Sequence, residues 1–92
     1  MGDGKVIKEG QKLTVYYVTQ SYDTTTVIDS AISHDGFQFV FGSNTVIKGW
    51  NIGLKGIRIG GKRKMIIPPQ LAYNKEVLIT TIQVNRAIDI IT

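Results

Sequence analysis

The 92-residue chain has no cysteine and a single histidine. Without cysteine there can be no disulfide staple and no thiolate metal site. The one histidine, His34, lies in a polar loop and leaves too few ligands for zinc, so no metal or other cofactor is expected. Proline is scarce as well, with two residues that stand together as Pro68-Pro69. No apolar run approaches the roughly 18 residues that span a bilayer. The polar start Met1-Gly2-Asp3-Gly4-Lys5 lacks the apolar core of a signal peptide. Val6 occupies the place where a myristoylation pattern wants Ser or Thr. These absences predict a soluble, cytoplasmic chain with no membrane partner. Reactive machinery is missing too: there is no Ser-His-Asp set, and Gly56-Ile57-Arg58-Ile59-Gly60-Gly61 lacks the ending of a phosphate-binding loop.

What is present fits one domain, residues 1–92. A domain this small buries only about two-thirds of its unfolded surface, which implies modest stability. The chain is 42% apolar and 20% charged, ordinary for a globular protein. The net charge of +4 comes from scattered basic residues, and the one cluster is Lys62-Arg63-Lys64. On a strand, Lys62 and Lys64 face one way and Arg63 the other, which dilutes the patch. A nucleic-acid partner is therefore not expected.

Short strands and tight turns dominate the pattern. Lys5-Val6-Ile7 reads as a short edge strand and Glu9-Gly10-Gln11 as a turn. Residues 12–19 are rich in β-branched and aromatic side chains and read as a strand. Residues 20–25 form a hairpin connection to a second strand over 26–30. Phe37, Phe39 and Phe41 alternate with Gln38 and Val40, a third strand with its aromatic face inward. Then the period changes: Ile47, Trp50, Leu54 and Ile57 recur at three- and four-residue steps, one stripe of a short helix that Ser43 or Asn44 could cap. Gly49, Gly53 and Gly56 weaken that helix but permit close approach to a sheet. Lys62 to Ile67 is the next strand, stopped by the double proline, and a final strand is read over Val84 to Ile91. The fold class is α+β, several strands with one short helix packed on them.

Two longer motifs carry a resemblance. Val46-Ile47-Lys48-Gly49-Trp50 with Gly53-Leu54, and Gly60 with Lys62-Arg63, Ile67-Pro68-Pro69 and Leu71-Ala72-Tyr73, resemble the signature of the FKBP-type peptidyl-prolyl cis/trans isomerases. Val15-Tyr16-Tyr17, Ile28-Asp29-Ser30 and Phe37-Gln38-Phe39 are similar to shorter motifs of the same family. The match runs from about Lys12 to Tyr73 and then weakens. Asn74 stands where the family has glycine, Ile28 and Ile88 replace aromatic residues, and the loop over 75–82 lacks the family's prolines and is about two residues short. The resemblance implies an antiparallel sheet half-wrapped around the helix and an activity on X-Pro bonds.

Such an activity suits an apolar pocket. Rotation about a prolyl bond breaks amide resonance, and the twisted transition state has lost most of the charge separation of the planar amide. A dry pocket disfavours the planar state, and no acid, base or nucleophile is required. The resemblance assigns the reaction to Tyr17, Asp29, Trp50 and Tyr73, with Trp50 as floor, Asp29 orienting the twisted amide, and the Tyr73 hydroxyl and Ile47 N–H holding peptide carbonyls. It assigns substrate contacts to Ile28, Phe37, Val46, Ile47 and Ile88, and leaves Phe39 and Phe41 to the core. Expected partners are proline-containing peptides, unfolded proteins and macrolides of the tacrolimus and rapamycin class, met by a monomer. The alternative is a related binding or chaperone module with weak catalysis.

Overall fold

The computed structural model describes residues 4–32 and 36–89. His34 and the last residues of the expected final strand, Ile90 and Ile91, lie outside the described residues.

The sheet is antiparallel and has five strands: β1 (Lys12–Ser21), β2 (Val27–Ala31), β3 (Phe37–Val40), β4 (Lys62–Ile67) and β5 (Leu78–Ile88). Their order is β2-β1-β5-β4, with β3 also paired to β1. β2 and β3 share one edge of β1: Tyr17 lies opposite Ala31, and Val15 opposite Phe37. β1 owes its role as spine to strict alternation. Leu13, Val15, Tyr17, Thr19 and Ser21 point inward, and Leu78, Thr80, Ile82 and Val84 of β5 meet them on the same face. Leu13, Val15, Ile82 and Val84 lose all exposure and form the centre of the core.

Among the described residues one short α-helix, α1 (Lys48–Gly53), lies against this face. Its glycines set the distance. A Cβ on Gly49 would stand 2.5 Å from Ile67 Cγ2, and one on Gly53 would run into Met65 Sδ. The helix therefore approaches β4 as closely as a bare backbone allows, and Trp50 and Leu54 drop into the core beside Met65 and Ile67. At its other end Arg63 Nη1 donates to the carbonyls of Gly53 at 2.6 Å and Lys55 at 2.9 Å, satisfying acceptors a helix terminus leaves open. Lys62 and Lys64 are exposed on the opposite side of β4, as the alternation predicts.

Four readings change. Lys5-Val6-Ile7 makes one isolated bridge, Val6 to Arg58, and no strand. The helix is capped by neither Ser43 nor Asn44: it starts at Lys48, so the N-cap position falls on Ile47, whose side chain has no polar group to cap with, and the Ser43 hydroxyl donates instead to the Val40 carbonyl at 2.6 Å. Ile57 lies beyond the helix, although it is buried in the same core. The final strand begins at Leu78, six residues before the expected Val84, so only residues 72–77 connect the 3-10 turn Pro69–Leu71 to β5.

Candidate active site

The open end of the α1–sheet layer holds a cavity of about 660 Å³. Its base is Trp50, 5% exposed, whose indole meets Tyr17 edge-on at 4.8 Å between ring centroids, Phe39 at 5.5 Å and Phe37 at 6.0 Å. Phe37 and Tyr17 meet edge-on at 5.9 Å. Edge contacts of this kind fix ring orientation and add about 0.5–1.5 kcal/mol each beyond area burial. The sequence dictates the arrangement: Tyr17 is an inward residue of β1, Phe37 opens β3 on the neighbouring edge, and Trp50 is the central residue of the helix above them.

Asp29 is the only ionisable carboxylate among the cavity's lining residues. Its Oδ2 accepts a 2.7 Å hydrogen bond from the Tyr17 hydroxyl and its Oδ1 accepts from the Ser30 N–H at 2.9 Å. Burial, then the hydrogen bond to Asp29 and its negative charge, push the Tyr17 hydroxyl well above the ordinary tyrosine pKa. Tyr17 therefore stays protonated and a donor at every physiological pH.

Val46, Ile47, Asn44 and Thr45 bring the segment before α1 to the rim. Asn51, on the helix, holds that segment: its Oδ1 accepts from the Gly42 N–H at 2.9 Å and its Nδ2 donates to the Ser43 carbonyl at 2.8 Å. Among the described residues the Ile47 N–H meets no acceptor, which leaves it available to a ligand carbonyl. Tyr73 also lines the cavity and is 63% exposed. Asn74 follows it with φ +60, the left-handed angle that asparagine tolerates and that turns the chain back toward β5.

Of the nine residues singled out from the sequence, the structure brings eight to this cavity: Tyr17, Ile28, Asp29, Phe37, Val46, Ile47, Trp50 and Tyr73. Ile88 is not among them. It sits near the far end of β5 opposite Lys12, 48% exposed, and the earlier start of the strand is the reason. The inward position at the cavity belongs to Leu78, the first residue of β5. Thr19 and Ala72 also line it and were not singled out. Thr19 could have been found, since it lies two residues from Tyr17 on the same strand face. Phe39 and Phe41 are buried core, and Phe39 meets the indole edge-on.

Residues 4–88 match the sequence pattern described as FKBP-type peptidyl-prolyl cis-trans isomerase, and the chain belongs to that family. It is 40% identical over 73 residues to the 46 kDa FK506-binding nuclear protein of Spodoptera frugiperda, covering 79% of this chain and 18% of that one. It is likewise 40% identical over 73 residues to an FK506-binding protein of Streptomyces anulatus, covering 78% of this chain and 59% of the relative. With an Arabidopsis thaliana protein named Peptidyl-prolyl cis-trans isomerase FKBP15-3 it shares 34% over 74 residues, 80% of this chain and 52% of that one. The chain thus spans about a fifth of the larger relatives and a little over half of the smaller ones.

Proposed function

We propose that the chain is a peptidyl-prolyl cis/trans isomerase that turns X-Pro bonds over Trp50. One observation carries the reading: a cavity large enough for a prolyl residue, floored by a fixed indole and walled by rings and aliphatics, with a single carboxylate at its edge. In such a cup the planar, dipolar imide loses water without an equivalent replacement, whereas the twisted imide loses less. The difference lowers the barrier, and each 1.36 kcal/mol is worth about tenfold in rate. Trp50 supports the proline ring, the Ile47 N–H and the Tyr73 hydroxyl receive peptide carbonyls, and Asp29, held by Tyr17, orients the twisting group. Ile28, Phe37 and Val46 exclude water around it.

The same cavity is the site for macrolides of the tacrolimus and rapamycin class, and proline-containing segments of unfolded proteins are the expected substrates. In this reading residues 1–92 act as one monomeric domain that assists folding in the cytoplasm. No described helix is long and apolar enough to cross a membrane. The words "nuclear protein" in two relatives' names make the nucleus the other compartment to score when the tagged protein is imaged.

A protease-coupled isomerisation assay on an Ala-Leu-Pro-Phe peptide tests the proposal. Turnover that falls in Tyr73→Ala and Asp29→Ala, with folding retained, supports it. A second reading, a docking module with weak catalysis, draws on the exposure of Ile28, 49%, which leaves that wall of the cup half open. No turnover together with micromolar binding of proline peptides would select it.

A further inference from the structure

The inward row that crosses the sheet one step beyond Tyr17 is polar. Thr19 of β1 stands opposite Asp29 of β2 on one side and Thr80 of β5 on the other. The Thr19 and Thr80 hydroxyl oxygens are 2.9 Å apart, buried, and neither makes another hydrogen bond among the described residues. Two hydroxyls carry two hydrogens, and only one fits between the oxygens. Thr80 is 0% exposed and is not among the residues that line the cavity, so if Thr19 were the donor the Thr80 hydrogen would be orphaned in the core. An unsatisfied buried polar group costs about 1–3 kcal/mol, so Thr80 donates and Thr19 accepts. The hydrogen left over belongs to Thr19, which lines the cavity. Asp29, opposite Thr19, accepts from Tyr17 and Ser30 and makes no hydrogen bond with the Thr19 hydroxyl among the described residues.

We propose that Thr19 is a specificity-determining residue of the pocket: its free hydroxyl hydrogen selects X-Pro peptides whose residue X carries a hydrogen-bond acceptor, such as Ser or Thr, over apolar isosteres. This rests on the isomerase reading, which puts the twisting carbonyl beside Asp29; Thr19 is paired with Asp29 across β1 and β2 and lines the same cavity, within reach of a side chain on X. Water holds the Thr19 hydrogen when the cavity is empty. An apolar X displaces that water and returns nothing, whereas a hydroxyl-bearing X replaces it.

The test is a two-by-two cycle. Wild type and Thr19→Val are assayed on Ala-Thr-Pro-Phe and Ala-Val-Pro-Phe peptides, so that enzyme and substrate each change by the same near-isosteric exchange. The preference of wild type for the Thr-Pro peptide, as a ratio of kcat/KM values, should exceed that of Thr19→Val by about 2- to 10-fold, the worth of one net hydrogen bond. Thr19→Ser and Thr80→Val both keep a hydroxyl at position 19 and should retain the wild-type preference. Thr19→Ala replaces the valine variant if that one does not fold. Equal preferences in wild type and Thr19→Val would overturn the proposal, as would an equal loss in Thr80→Val, which would mark the effect as damage to the sheet. Should wild type bind without turnover, the isomerase reading falls, and the same ratios taken as Kd from the fluorescence of Trp50, the only tryptophan, decide this one. If neither peptide binds, both fall.

Discussion

Replacing Tyr17 by phenylalanine removes one oxygen and keeps the ring that meets Trp50 at 4.8 Å. What is lost is the 2.7 Å bond to Asp29 Oδ2. A hydrogen bond to a charged group is worth about 1.5–3 kcal/mol when its loss leaves the charge stranded. Here it does not, because Asp29 is exposed and water can take the vacated place, while Oδ1 keeps the Ser30 N–H. The expected loss therefore falls below that range, at about 1 kcal/mol, or about 4–8 °C in Tm for a domain of this size. Under the proposed mechanism catalysis should suffer more than stability suggests, because the carboxylate assigned to orient the twisted imide is then held at one oxygen only. A fall of about tenfold in kcat/KM corresponds to a further barrier of 1.36 kcal/mol. Thermal unfolding followed by circular dichroism gives the first number and the protease-coupled assay the second. A loss of 3 kcal/mol or more would refute the solvent argument for Asp29, and unchanged kcat/KM would show that the pair serves the fold alone.

The Tyr17 pKa also predicts a pH dependence. Its folded value lies above the unfolded one, so the stability it contributes is complete below about pH 10 and declines as pH rises beyond it. Wild type should therefore lose more stability than Tyr17→Phe when denaturant midpoints are compared on either side of that value. Gly53→Ala should cost about 1–3 kcal/mol from overpacking against Met65, outweighing the gain in helix propensity of up to about 1 kcal/mol; a more stable variant would mean the helix has room to move off β4. Arg63→Met should destabilise by about 1–2 kcal/mol by freeing the Gly53 and Lys55 carbonyls, with a shift in Trp50 emission that a surface lysine variant such as Lys64→Met does not produce. Ile88→Ala should leave kcat/KM within about twofold of wild type, since that side chain is half exposed and away from the cavity; a tenfold loss would restore it to the pocket.

The parts of this molecule that a reader of the sequence can find are those in which one local rule suffices. β1, β3 and β4 announce themselves by alternation, and the pairing Met65/Ile67 inward with Ile66 outward is the same rule at work. The helix is harder, because its six residues include two glycines that propensity counts against it. What keeps it is contact with Ile67 and Met65, which no window around residues 48–53 contains. The first six residues of β5, Leu78 to Gln83, are hard to find for a related reason. Its inward set is Leu78, Thr80, Ile82 and Val84, and a threonine at a core position breaks the apolar alternation a reader looks for. Thr80 is tolerated there because Thr19, 61 residues away, supplies its partner.

The earlier start of β5 moves one wall residue of the cavity without changing the chemistry proposed for it. A general base or nucleophile is one atom in one place, and moving it by a few residues abolishes a mechanism. Water exclusion is a property of a surface, and any side chain of the right size at the right inward position provides it. The cup needs an apolar residue where β5 enters beside Trp50; register gives that place to Leu78 in place of Ile88, and the wall remains aliphatic. In the proposed reaction only the groups with directional duties, the Tyr17–Asp29 pair, the Ile47 N–H and the Tyr73 hydroxyl, have to fall where the motifs put them, and all four residues line the cavity.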